Sequence, residues 1–301
     1  MSIEPRHFMD LEDFEPEVLK KILAHAHELK AQKFNPPQIL EGLSLAMMFD
    51  KRSTRTRISF EVGMKQLGGH TVILNVGDIQ LSGAESLEDT ANVLSRYVDA
   101  IMIRMSDHER LEEFASYCKV PVINGMTDKS HPCQIMADMM TIEEKLGGVQ
   151  GKKITWLGDY NNVTKTFEQA APIFDFELVI STPEDIAPDI ANDHVSYRES
   201  PNDAVWNADV VVTDTWVSMG QEGKSIEKFM PYQVTPELMS EAADSAIFMH
   251  CMPIHENEEV SPAVLKTPAC VIYDEAENRL HAQKAILAWC MKHAGVTIGA
   301  E

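Results

Sequence analysis

The chain has 301 residues, with 26 Lys and Arg against 47 Asp and Glu, for a formal charge of −21 at pH 7. That balance argues against nucleic acid as a partner, and an anionic substrate would need a locally cationic pocket. At about 150 residues per domain the length fits two domains, and 44% hydrophobic with 24% charged residues is the composition of a soluble globular protein.

Cys118, Cys133, Cys251, Cys270 and Cys290 are odd in number and scattered. Reduced thiols in a cytoplasmic protein are therefore expected, not a disulfide framework. Met1 to Asp13 is polar and acidic and lacks an apolar core of the signal-peptide type. No apolar run approaches the roughly 18 residues of a membrane span.

In chain order, Glu15–Gln32 carries Leu19, Ile22, Leu23 and Ala26 at helical spacing. Leu43–Phe49 reads as a buried strand, and Arg55–Leu67 as a helix closed by Gly68-Gly69. Thr71–Val76 is a second strand. Ser86 is placed to cap a helix containing Leu87, Val93 and Leu94. Ala100–Ile103 is a strand ending on Arg104, Asp107–Cys118 a helix, and Val120–Ile123 a fourth strand. His131-Pro132-Cys133-Gln134 then opens a helix to Lys145, and Gly147-Gly148 marks a candidate domain boundary.

The alternation then repeats. Lys153–Leu157 is a strand, followed by Gly158-Asp159-Tyr160-Asn161-Asn162 and a helix to about Phe174. Glu177–Ile180 is a strand. A strand segment and a short helix are expected between Asp189 and Asn207. Asp209–Thr213 is a strand ending at Asp214, and a long loop follows to Gly223. Ala246–Met249 is a strand ending in His250-Cys251-Met252-Pro253, Val271–Tyr273 reads as the last strand, and Asn278–His293 as the last helix.

Strands alternating with helices imply an α/β protein of two doubly wound parallel-sheet domains. Ligands of such folds bind beyond the carboxyl ends of the strands. Nearly all the polar clusters lie there, which predicts one active-site cleft between the two domains, with residues 1–134 on one side and 150–282 on the other.

The first cluster, Ser53-Thr54-Arg55-Thr56-Arg57, combines hydroxyls and non-titrating guanidinium forks at a helix start, which suits a phosphate dianion. A solvated basic turn is the plainer alternative. Arg104, ending a strand, is a further candidate cation. His131 and Gln134 share a helix face and suit polarising a carbonyl oxygen, unless His131 is only a capping or core residue. Asp214 suits an ammonium group, Ser218 and Met219 sit on a loop able to close over a ligand, and Cys251 is either a site residue or core packing. Zinc is weighed for His131, Cys133, His250, Cys251 and His255, whose spacings match no finger or ribbon. The loop at Gly158 lacks the dinucleotide fingerprint, and there is no P-loop and no nucleophile elbow. No metal and no cofactor are expected.

Taken together, these motifs resemble the aspartate/ornithine carbamoyltransferase family. Ser53–Arg57 and His131–Gln134 are similar to its carbamoyl-phosphate motifs, and Asp214-Thr215-Trp216-Val217-Ser218-Met219-Gly220 to the D-x-x-x-S-M-G loop of its ornithine-using members. His250–Pro253 resembles the family's H-C-L-P, with Met252 in place of leucine, and Glu275–Arg279 its last site segment. Tyr160 stands where the family has a small residue.

The resemblance implies transfer of a carbamoyl group from carbamoyl phosphate to the δ-amine of L-ornithine, giving citrulline and phosphate. Ser53, Thr54, Arg55, Thr56, Gln80, Arg104, His131, Pro132, Cys133, Gln134, Cys251, Met252 and Arg279 would form the carbamoyl-phosphate side. Asn162, Asp214, Ser218 and Met219 would hold ornithine. Arg55, Arg104, His131, Gln134, Asp214, Cys251 and Arg279 would act in catalysis. The family also implies a homotrimer or a multiple of trimers, with Gln80 serving a neighbouring subunit, and a last helix, 283–301, that returns to the first domain. Aspartate, putrescine or an N-acylated ornithine as acceptor, and a non-catalytic paralogue, are the competing readings. Aspartate would require more cations than Val205–Gly223 supplies, since that stretch has no Lys or Arg.

Overall fold

A computed structural model describes residues 6–50, 53–75, 86–190, 192–217 and 225–295. The described residues up to Ala137 and those from Glu277 onward form one compact unit, and Asp138–Ala276 forms the other. The chain passes between them inside two helices, α5 (Pro132–Leu146) and α9 (Ile272–His293). No helix among the described residues is long and apolar enough to cross a membrane.

The first unit has a four-stranded sheet of β1 (Ser44–Phe49), β2 (His70–Asn75), β3 (Ala100–Arg104) and β4 (Val122–Met126), all parallel, in the order β2-β1-β3-β4. Strands covered on both faces have no polar alternation, which is why β1 and β3 read as continuous apolar runs. Helices α1 (Pro16–Ala31), α2 (Arg55–Gln66), α3 (Leu87–Leu94) and α4 (His108–Tyr117) accompany the sheet. Ser86 and Asp107 cap α3 and α4, accepting from the N–H groups of Asp89 and Arg110. β4 starts later than its apolar run suggests, because Pro121 has no N–H for the ladder. It extends to Met126 through a register shift opposite Ile103 and Arg104.

The second unit has a five-stranded parallel sheet of β5 (Lys153–Leu157), β6 (Glu177–Ser181), β7 (Val195–Tyr197), β8 (Val210–Thr213) and β9 (Ile247–His250), ordered β7-β6-β5-β8-β9. With it lie α6 (Asn162–Phe174), α7 (Pro201–Val205) and α8 (Pro236–Met239). Val271–Tyr273 is not a strand. Cys270 makes one isolated bridge to Phe248, and the Glu275 N–H bonds to the Val271 carbonyl, so the apolar run opens α9 six residues before the expected start at Asn278. A three-residue apolar run fits a buried helix end as well as a strand.

Each sheet reverses its winding direction once, between β1 and β3 and between β5 and β8. Such switch points open a crevice at the carboxyl ends of the strands. The segments after β1 and β3 therefore flank one crevice, and those after β5 and β8 flank the other.

Candidate active site

At the switch point of the first unit, β1 delivers the chain to Thr54, the residue before α2. The first turn of α2 has no acidic residue, so its N–H groups and Arg55 add positive potential of the same sign. Ser53 and Arg55 are half-buried and Thr54 is exposed. Thr56 is buried and central. Its Oγ1 accepts from Arg104 Nη1 at 3.2 Å and from Arg279 Nη2 at 2.7 Å. Guanidinium groups only donate, so Thr56 is the acceptor in both bonds and its own O–H remains to donate to a third group. Arg57 turns away, bonding Asn75 Oδ1 at 2.8 Å with its guanidinium 4.8 Å from the Phe49 ring.

His131, Pro132, Cys133 and Gln134 are all buried at the start of α5. Pro132 occupies the first helical position, where its missing N–H costs nothing. Burial first, then Arg279 and Arg104, holds the His131 pKa well below its ordinary value, so the ring is neutral. Both arginines therefore act electrostatically on His131 within the same unit. Burial pushes the Cys133 thiol up to about 12, and its Sγ donates to the Asn124 carbonyl at 3.3 Å, so that side chain braces β4. The turn before His131 is braced as well, since Thr127 Oγ1 accepts from the N–H groups of Lys129 and Ser130 and meets His108 Nδ1 at 2.9 Å.

In the second unit, Asp214 follows β8 and is almost fully buried. Asn161 Nδ2 donates to its Oδ2 at 2.9 Å and Cys251 Sγ to its Oδ1 at 3.2 Å. Burial, then the charge of Asp214, pushes the Cys251 thiol well above its ordinary value, so it stays a donor. Asn161 also caps α6, its Oδ1 accepting from the N–H groups of Val163 and Thr164. The sequence reading assigns the site role to Asn162 and not to Asn161, although an Asn beside a helix start is a capping signal. Asn162 is the half-buried first residue of α6, and its carbonyl accepts from Thr166 Oγ1. Gln80, Ser218 and Met219 lie outside the described residues.

The His250–Pro253 segment is held by two acids, Glu275 from the last site segment and Glu259, which sequence reasoning missed. Glu275 Oε2 accepts from the His250 N–H at 2.8 Å, and Glu259 Oε1 meets His250 Nε2 at 3.1 Å. Met252 has φ +58°, the left-handed region that disfavours a side chain. Tyr160 donates to Glu168 Oε2 at 2.7 Å and has Lys165 Nζ 5.6 Å from its ring centre, so it lies along the first turns of α6. Gly158, at φ +111°, lets Trp216 pack closely: a Cβ there would lie 2.5 Å from Trp216 Nε1.

Asp214, His250 and Cys251 have potential ligand atoms within 4.8 Å of one another, as do His255, Glu258 and Glu259. Both ring nitrogens of His250 are engaged, by the Met252 N–H and by Glu259, which leaves the first group short of a ligand.

The first unit thus gathers cations and neutral donors, and the second an acid with amide and thiol donors. Two family models match: "Aspartate/ornithine carbamoyltransferase, carbamoyl-P binding domain" over residues 6–144 and "Aspartate/ornithine carbamoyltransferase, Asp/Orn binding domain" over residues 150–290. The chain is 50% identical to an ornithine carbamoyltransferase of Rhodopseudomonas palustris, covering 95% of this chain and 97% of the relative. It is 49% identical to one from Agrobacterium fabrum, covering 95% and 98%. Among solved structures, ornithine carbamoyltransferase from Pyrococcus furiosus superposes with a TM-score of 0.91 at 46% identity, covering 96% of this chain and 97% of that one. By motif, fold and relatives alike, the chain belongs to the aspartate/ornithine carbamoyltransferase family.

Proposed function

We propose that this protein transfers the carbamoyl group of carbamoyl phosphate to the δ-amine of L-ornithine, forming citrulline and phosphate. The observation that carries the reading is the pairing of two kinds of pocket. Arg104 and Arg279 converge on the Thr56 hydroxyl in one unit, and Asp214 is held by Asn161 and Cys251 in the other. Dianionic phosphate suits the first and an amino acid's ammonium group the second.

The chemistry follows from what each group can donate. Ser53, Thr54 and Arg55 at the start of α2 hold the phosphate. Thr56, Arg104, His131, Gln134 and Arg279 surround the carbamoyl oxygen. The neutral δ-amine attacks the carbamoyl carbon, and negative charge grows on that oxygen in the tetrahedral transition state. Donors aimed at the developing charge are the largest electrostatic contribution available. A neutral His131 still offers one N–H, without taking a proton from substrate. The carbon–oxygen bond to phosphate then breaks, and the leaving phosphate takes the amine proton. No covalent enzyme intermediate is required, and alignment of the two bound reactants supplies much of the rate. On the acceptor side Asp214 and Asn162, with Ser218 and Met219, hold the α-groups of ornithine, while Cys251 orients the δ-amine.

A homotrimer of cytoplasmic location, serving arginine synthesis or breakdown, completes the reading. Exposed Ile58 and Val62 on α2 and Val72 on the edge strand β2 support an interface on the first unit, since an unpaired apolar edge favours association. The deciding test is steady-state citrulline formation with ornithine, N-acetylornithine, putrescine and aspartate compared at equal concentration. Ornithine is expected to lead by at least about a hundredfold in kcat/KM, the loss expected when a buried charged partner is unmatched. Equal or better turnover of another amine would overturn the assignment of acceptor.

A further inference from the structure

Within the second unit, Glu259 is fully buried in the turn at residues 257–259, which carries none of the proposed substrate-binding groups, next to Val260, and Val234 and Val264 are buried as well. A carboxylate gains little net stability from such burial even when it is paired. Its contacts point instead toward the acceptor half-site. Glu259 Oε1 accepts from the His255 N–H at 2.7 Å and meets His250 Nε2 at 3.1 Å. Burial raises the Glu259 pKa, but the bonds from His250 and from the His255 and Glu259 amides outweigh it, and the acid stays ionised.

An ionised carboxylate only accepts, so the nitrogen of His250 that faces it carries the hydrogen. The other ring nitrogen, Nδ1, lies 2.9 Å from the Met252 N–H and accepts from it. The two bonds require each other, because an Nδ1–H ring would oppose the Met252 N–H. Met252 is the residue at φ +58°, and its neighbour Cys251 reaches Asp214 Oδ1 at 3.2 Å. Backbone strain of this kind persists only where its surroundings over-determine it.

We propose that Glu259 is a positioning residue of the acceptor half-site: by fixing the Nε2–H tautomer of His250 it holds the Cys251–Met252 turn and so places the Cys251 thiol on Asp214. The part concerning ornithine rests on the function proposed above. Glu259→Gln keeps the size of the side chain but offers an NH2 group that can face the ring and admit the other tautomer. It raises the ornithine KM about tenfold, the weight of one hydrogen bond, while the carbamoyl-phosphate KM and the melting temperature stay near wild type. His250→Asn, which keeps an acceptor at the δ position for the Met252 N–H, retains more ornithine affinity than His250→Ala.

The test pairs these kinetics on the full chain with a neutron diffraction map of the wild-type protein, in which deuterium is expected on His250 Nε2 and absent from Nδ1. Deuterium on Nδ1 would overturn the proposal. So would a Glu259→Gln enzyme with unaltered ornithine KM, or one whose activity on both substrates falls only in step with its folded fraction. If Glu259→Gln fails to fold, the map and the two His250 variants decide. A wild-type enzyme inactive with ornithine defeats the acceptor assignment alone, and the tautomer is still read from the map.

Discussion

Arg279 Nη2 donates to Thr56 Oγ1 at 2.7 Å, joining residues 223 positions apart in the chain. Arg104 donates to the same oxygen from the end of β3. One hydroxyl thus collects a cation from the last helix and another from the sheet, and spaces two guanidinium groups that would otherwise repel each other.

Thr56→Val removes that acceptor while keeping the branched shape. Catalytic efficiency with carbamoyl phosphate is expected to fall roughly 10²–10³-fold, as for loss of a preorganised donor at a developing oxyanion. Far-ultraviolet circular dichroism of the variant should match wild type, and initial rates against carbamoyl phosphate check the loss.

Asn161 has two duties that substitution can separate. Asn161→Ala loses the cap on α6 and is expected to destabilise the protein by about 1–2 kcal/mol. Asn161→Asp keeps an acceptor for the Val163 and Thr164 N–H groups but sets a second carboxylate where an amide now donates to Asp214. Its melting point should exceed that of the alanine variant, while its ornithine kcat/KM should be the lower of the two.

The depressed histidines set the acid limb of stability. His131 lies well below 6.5 through burial, Arg279 and Arg104, and His281 is lowered to about 4 by burial, then Lys284 and Lys30. Below about 6.5 the unfolded chain binds protons that the folded one refuses, so stability is complete above that value and declines as pH falls. Each group contributes a slope of up to about 1.4 kcal/mol per pH unit between pH 6.5 and 5. Urea unfolding of wild type and His281→Asn over that range should show a shallower slope in the variant.

Gly158→Ala brings a methyl group against Trp216 and also forces an unfavourable backbone at φ +111°. A loss of about 2–4 kcal/mol is expected from the two effects together. Denaturant titration followed by tryptophan fluorescence measures it.

What was legible beforehand follows from the range of the forces. β1 and β3 announce themselves because parallel strands are apolar throughout, and Ser86 and Asp107 cap their helices by contacts three residues away. The cationic turn at Arg55 and the pair His131 and Gln134 are local patterns as well. Val271–Tyr273 misleads because three apolar residues fit a strand or a helix end equally. Glu259 leaves no trace, and Glu275 shows only as part of the Glu275–Arg279 segment, since each acts on His250, from 9 and 25 residues away, through a contact that only folding creates. Asn161 was passed over for its neighbour because spacing alone does not tell which of two adjacent amides turns toward Asp214.

The first unit is discontinuous, made from the beginning and the end of the chain with the whole second unit between. During synthesis the ribosome must release Asp138–Ala276 before it releases Arg279, so the donor pocket stays unfinished until the whole second unit has been made. Domains fold largely in order of emergence, and here that order leaves the early-made sheet waiting for α9. A nascent chain stalled before Glu277 would have a complete acceptor unit but no Arg279 on Thr56, and so could not hold the donor as the finished protein does.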